Sequence, residues 1–195
     1  MSTDQISRFF HFDRYPSKRA SEALVHLQRE KLVEGQSRAV GQYKVWRLTK
    51  KARELLGVKR RPVPFTVQLD HWLALADAYT TLKLAGGLRY FIPELREKIP
   101  GTDRMYCGDA YVHFRDMQFL LEVQRTPKSK EDWREKWERL LEWDRKGGVK
   151  QASFQCLYRE PINPSVVVVT SQTYDVVSGG LIVPITIVKD IRELI

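Results

Sequence analysis

The sequence predicts a mixed α/β (α+β) chain in two parts. The first is ordered helix, helix, hairpin, helix, and the second helix, three strands, helix, strand. Three observations predict it: positive charge is confined to the first third, apolar residues there recur at helical spacing on either side of a glycine-containing loop, and residues 108–124 alternate as a strand pair does. The 195 residues carry 33 Lys and Arg against 24 Asp and Glu, a net charge of +9. Residues 1–65 hold 15 basic and 6 acidic side chains, which leaves 18 of each sign in the remainder. A local excess of this kind is the footprint of a polyanion-binding module, because each neutralised phosphate releases condensed counterions; the alternative is a solubilising basic surface.

In the basic third, Ile6, Phe9 and Phe10 stand at i, i+3, i+4 behind Ser2 or Thr3 as N-cap, which predicts a short amphipathic helix. Asp13-Arg-Tyr-Pro16 breaks it. Ser17 then caps a second helix, from Lys18 to about Val33, with Ala20, Leu24 and Leu27 on one face. Leu32–Gly35 and Tyr43–Leu48 flank the polar loop 36–42 and predict a hairpin, and Thr49 caps a last helix, Lys50–Leu56, that stops at Gly57. This order resembles a winged helix-turn-helix, whose second helix enters the major groove of double-stranded DNA. The resemblance implies Ser17, Lys18 and Arg19 near base edges or phosphates, Arg38 on the wing, and Arg14 and Lys44 at the backbone. A winged helix ordinarily has a further helix ahead of these two, so its packing surface is expected to be met by the second domain, by a partner chain, or not at all. The domains are therefore 1–57, a linker at 58–65, and 66–195.

In the neutral part, Leu69, Trp72, Leu73, Ala76 and Tyr79 predict a helix from Thr66 to about Ala85, ended by Gly86-Gly87. Leu88–Ile92 is a short strand, followed by a less regular stretch through Pro100-Gly101. From Gly108 to Gln124, Ala110, Val112, Phe114, Met117, Phe119, Leu121 and Val123 share one face. A hairpin turning at Arg115-Asp116 puts Phe114 opposite Met117. The same register opposes Asp109 and Glu122, with Cβ atoms roughly 5 Å apart. Two acids so placed repel unless something offsets them, and Mg²⁺, which favours one or two carboxylates plus water and phosphate oxygens, is such an offset; the alternative is an ordinary solvated sheet face. Ser129 caps a helix from Lys130 to Arg145, with Trp133, Trp137, Leu140 and Leu141 as its stripe and Glu135, Lys136 and Arg139 outside. Pro164–Thr170 predicts a strand buried on both faces, and the apolar run after Gly179-Gly180 an edge strand, given Pro184.

An acid opening the second strand of this core and Glu-x-Gln on the third resemble the PD-(D/E)xK restriction-endonuclease-like superfamily, with its αβββαβ core. That resemblance implies Asp109, Glu122 and the Val123 carbonyl as Mg²⁺ ligands and Gln124 as the residue that orients water or stabilises charge. Gly108 replaces the motif's proline and Gln124 its lysine, and Asp70, Asp77 or Glu94 would supply a further acid. The ordered combination of these elements with the Trp-rich helix resembles the replication-relaxation family of plasmids and mobile elements. Two functions are then expected: a DNA-binding protein with a Mg²⁺-dependent nuclease-like domain, or a non-enzymatic regulator whose second domain dimerises or recruits a protein partner.

Other classes find little support. With 43% hydrophobic residues, 11 Gly and 9 Pro, the chain is neither collagenous nor low-complexity. Cys107 and Cys156 have no metal spacing and are expected as free thiols; His11, His26, His71 and His113 have no ligand spacing either. The opening residues lack the basic and apolar regions of an export signal, so a cytoplasmic protein with no membrane partner is expected.

Overall fold

A computed structural model describes residues 1–10, 16–37, 44–59, 69–124, 129–170 and 185–195. Contacts divide the chain into two units, Met1–Thr80 and Thr81–Ile195. The division falls inside a helix, whereas the sequence reading begins its second domain at residue 66.

The first unit holds α1 (Thr3–Phe9), α2 (Pro16–Arg29), the antiparallel hairpin of β1 (Val33–Gln36) and β2 (Val45–Leu48), and α3 (Lys50–Leu55). Most of α4 (Leu69–Leu84) also belongs to it. Two expected caps are present: Ser2 forms a capping box with Gln5, and the Thr49 hydroxyl accepts from the Ala52 N–H, whereas Ser17, expected as the cap of the second helix, falls within α2, which begins at Pro16. The core gathers Leu24, Val33 and Trp46, with Ile6, Leu27 and Leu48 against them.

The buried side of α1 differs from the predicted one, since Thr3, Gln5 and Ser7 are buried while Phe10 is exposed. Thr3 and Gln5 go inside because each finds a partner. Trp46 Nε1 donates to Thr3 Oγ1 at 2.9 Å, and Gln5 Nε2 donates to the Leu73 carbonyl of α4 at 2.7 Å. Arg8 pairs with Asp77, and the Phe9 ring stacks on Tyr79. Thus α4 meets α1 through Leu73, Asp77 and Tyr79.

In α4 the deepest side chains are Leu75, Ala78, Thr80 and Leu82 rather than the predicted stripe, most of which is half-buried. The helix is apolar around most of its circumference, so periodicity selects no single face.

The second unit is built on one five-stranded sheet in the order β3 (Leu88–Lys98), β4 (Met105–Phe114), β5 (Met117–Gln124), β6 (Ser165–Thr170), β7 (Ile185–Val188). The first three strands are antiparallel neighbours, whereas β5, β6 and β7 run parallel. Parallel pairing needs a crossover, and α5 (Lys130–Arg145), α6 (Gly148–Gln151) and a 3-10 turn (Ser153–Leu157) supply the one between β5 and β6. β7 lies at the sheet edge, as Pro184 suggested.

β3 continues well past its predicted end, through Pro93 and a Glu94 whose φ of 54° lies in the left-handed region. The turn between β4 and β5 needs Arg115 at φ 53°, a strained choice for a non-glycine residue. Tertiary contacts hold it there. The Arg115 N–H donates to the Gly87 carbonyl at 2.8 Å, its guanidinium lies over the Phe114 ring, and Nη1 donates to the Ile195 carbonyl. Gly87 must stay small, since a Cβ there would meet Arg115 Cγ at 2.8 Å.

Both faces of the β4–β5 hairpin are buried, not one. Ala110, Val112, Phe114, Phe119, Leu121 and Val123 are buried on one side. On the other, Tyr111 and Leu120 join the α5 side chains Trp133, Trp137, Leu140 and Trp143 in a single cluster.

Candidate active site

The register that opposes the two acids is present: Phe114 faces Met117 and Ala110 faces Leu121, so Asp109 and Glu122 follow at the open end of the hairpin. Because α5 packs over this face, the two carboxylates sit at the edge of the aromatic cluster. The alternative of a solvated face is excluded for Glu122, which is 2% exposed.

Each acid is tied down. Asp109 Oδ2 accepts from the Val123 N–H at 2.6 Å. Glu122 Oε1 accepts from the Tyr106 hydroxyl at 3.3 Å, and Glu122 Oε2 accepts from Lys136 Nζ. The same Nζ stands 3.7 Å from Asp109 Oδ1, so one ammonium serves both carboxylates.

The sequence places Lys136 on the outer face of α5, off its apolar stripe, yet its side chain is only 19% exposed. The signal for it was present: Lys136 lies three residues after Trp133 and four before Leu140, within the apolar stripe itself.

Burial shapes the protonation of the group. It pushes the Glu122 carboxyl up to about 8, with Lys136 pulling down and Asp109 pushing further up. Burial opposes the Lys136 ammonium, but Glu122 and Asp109 outweigh it and raise its pKa above the usual lysine value. The Tyr106 phenol is held well above its ordinary pKa, first by burial and then by the charge of Glu122, so it acts as a donor.

Tyr106 also explains the glycine before Asp109. A Cβ on Gly108 would lie 2.8 Å from the Tyr106 hydroxyl oxygen and 3.2 Å from its ring carbon. Gly108→Ala is therefore expected to push the hydroxyl off Glu122 and to cost about 1–3 kcal/mol in urea unfolding. Adding Tyr106→Phe removes the nearest clashing atom, and a double-mutant cycle should recover part of that loss; strict additivity of the two changes would contradict the contact.

The other sequence-predicted residues divide into three groups. Gln124 is buried in β5 opposite Thr170. Glu94 lies in β3 between the partners of Ala110 and Gly108, in register beside Asp109, whereas Asp70 and Asp77 belong to the first unit. Among the described residues no three His, Cys, Asp or Glu side chains are grouped to hold a metal ion.

His113 stands four residues along β4 from Asp109 and joins a different network. Its Nδ1 is hydrogen-bonded to the Tyr158 hydroxyl at 2.7 Å, and the Tyr158 and Tyr111 hydroxyls lie 2.5 Å apart. Burial, with the charge of Arg89, lowers the His113 pKa, so a neutral ring suits this place. It is a satisfied polar end to the core.

In the first unit, Lys18 and Arg19 are exposed at the start of α2, with Lys18 3.9 Å from Glu22. Lys44 instead lies over the Trp46 ring, 4.5 Å from its centre, and donates to Gln28. Ser17 falls in the first turn of α2, while Arg14 and Arg38 lie outside the described residues.

A cavity of about 520 Å³ opens beside Asp109 and Lys136. A family model described as replication-relaxation matches residues 1–153, from α1 through α6. The chain belongs to the replication-relaxation family. Membership identifies a replication-related protein of the plasmid and mobile-element kind. No curated protein and no solved structure matches the chain. The family match takes in Asp109, Glu122, Gln124 and Lys136, and ends before β6. Among the described residues no helix is long and apolar enough to cross a membrane.

Proposed function

We propose that this replication-relaxation protein binds double-stranded DNA through its basic first unit and hydrolyses a phosphodiester at Asp109, Glu122 and Lys136. The observation that carries the reading is the convergence of two carboxylates from neighbouring strands on one cation. The element order α4, β3, β4, β5, α5, β6 supports it, being the αβββαβ order of the restriction-endonuclease-like core. The order helix, helix, hairpin, helix supports the winged-helix reading in the same way.

The donor set suits a hard cation. Two carboxylate oxygens face a positive charge, and Mg²⁺ needs no more than one or two carboxylates when water and phosphate complete its shell. Asp109, Glu122 and the Val123 carbonyl would hold it. When bound, Mg²⁺ supplies Lewis-acid polarisation of the phosphodiester and lowers the pKa of water.

The chain's own residues do the rest. The Val123 N–H and the Tyr106 hydroxyl fix the two carboxylates against rotation. Lys136 takes the role that the superfamily gives to the lysine replaced here by Gln124: its ammonium stabilises negative charge developing on the phosphate oxygens. Gln124, two residues along β5 from Glu122, can orient water. Supercoiled plasmid incubated with the protein is expected to become open-circular with Mg²⁺ or Mn²⁺ and to stay supercoiled in EDTA.

Binding to DNA has its own test. Affinity should fall as salt rises, and Lys18→Ala or Arg19→Ala should weaken binding and reduce the log–log salt slope by about 0.9 per lost phosphate contact. A salt-independent affinity would remove the basic unit from binding.

A second reading is favoured by one observation: Lys136 already neutralises the acid pair, so the group is satisfied without a metal. It makes the chain a DNA-binding regulator, with a homodimer or protein partner meeting apolar surface such as Leu55 and Leu56, 71% and 66% exposed. It predicts DNA binding that is indifferent to divalent cations, and no nicking.

A further inference from the structure

We infer that the space between Asp109 and Glu122 is an exchange seat, in which Lys136 is the resident cation and a divalent cation enters only as the Lys136 ammonium leaves. The inference rests on the reading of the carboxylate pair as a divalent-cation site and adds how that site is filled.

Asp109 Oδ2 is engaged by the Val123 N–H and Glu122 Oε1 by the Tyr106 hydroxyl. A cation set between the two acids with these bonds kept meets Asp109 Oδ1 and Glu122 Oε2 most directly, and those are the two oxygens that Lys136 contacts. Two cations cannot share them. With the Glu122 side chain 3% exposed and that of Asp109 15%, water screens the repulsion weakly.

Lys136 has somewhere to go. The cavity beside it is lined by Cys107 and Asp109 from β4 and by Asp132, Glu135 and Arg139 from α5. Asp132 lies one turn before Lys136 on the same helix, so its carboxylate can receive the ammonium after a rotation of the flexible four-carbon stem. The charge then stays in the cavity that Asp109 also lines, where it can still face a phosphate, rather than entering the aromatic cluster. Entry of the divalent cation and delivery of the lysine to the cavity become one event. Selectivity follows, because a monovalent ion offers the two carboxylates no more charge than the tethered ammonium it must displace.

The test is Mn²⁺ binding to the full chain, measured by calorimetry for wild type, Lys136→Met and Lys136→Arg. Lys136→Met is expected to bind Mn²⁺ at least about tenfold tighter than wild type, and Lys136→Arg no tighter. Equal affinity of Lys136→Met and wild type would overturn the exchange while keeping the carboxylate pair as a metal site. No binding to any of the three at millimolar Mn²⁺ would overturn both.

A measurement on the wild-type chain is independent of how the variants fold. Reductive methylation followed by peptide mapping should modify Lys136 slowly without Mn²⁺ and severalfold faster at saturating Mn²⁺. Unchanged modification with Mn²⁺ bound would overturn the exchange.

Discussion

Glu122→Gln is expected to reduce Mg²⁺-dependent plasmid nicking by about a hundredfold or more, the scale on which losing one electrostatic stabiliser acts, while leaving the protein folded. Glutamine has nearly the shape of the protonated acid and keeps an acceptor for Tyr106, so structure survives while the negative charge is lost. The same variant reports on protonation. The folded-state pKa of Glu122, about 8, exceeds the ordinary 4.5, so between these values the folded chain holds a proton that the unfolded chain releases. The contribution of Glu122 to stability is thus complete below about pH 4.5 and declines as pH rises to about 8. Urea unfolding at pH 5 and pH 8 should show wild type losing more stability over this interval than Glu122→Gln. Equal losses would place the carboxyl in an ordinary, solvated environment. Metal binding needs the carboxylate, so Mg²⁺ affinity should rise over the same interval.

Trp143→Ala carries the largest expected cost to the fold, about 3–5 kcal/mol in urea unfolding. Trp143 is fully buried and its ring stacks on Tyr106 with centroids 4.6 Å apart. Gly148 is fitted to it, since a Cβ there would fall 2.1 Å from the indole. Removing the indole leaves a large void and frees the Tyr106 ring whose hydroxyl holds Glu122. Nicking should therefore fall together with stability, whereas Trp143→Phe, which keeps a ring against Tyr106, should lose less of both. A cost below about 1 kcal/mol for the alanine variant would mean that the cluster does not support the site.

How much of this was legible in the sequence depends on where tertiary contacts intervene. The bounds of α5 follow from Ser129 and the Trp spacing, because a cap and a stripe are local. The β4–β5 register follows from alternation together with the short turn at Arg115-Asp116, because sliding by one residue would exchange the side chains that meet α5 with those on the opposite face. The opposition of Asp109 and Glu122 comes with that register. Lys136 was misread because a charged residue is ordinarily assigned to the solvent side of a helix, although its spacing set it among the tryptophans. The extension of β3 through Pro93 and Glu94 was hidden because proline and a left-handed φ both argue locally against a strand; pairing with β4 overrides them. The polar burial in α1 was hidden for a similar reason: Thr3 and Gln5 are acceptable inside only because Trp46 and Leu73, distant in sequence, offer them partners.

The most direct measurement is the conversion of supercoiled plasmid to open circles by purified wild-type protein and by Asp109→Asn, side by side, at pH 8 with Mg²⁺. Two carboxylates acting on one cation predict rapid nicking by wild type and almost none by Asp109→Asn, with both proteins binding the DNA equally. Nicking of equal rate by the two proteins, or none by wild type in Mg²⁺ or Mn²⁺, would contradict it.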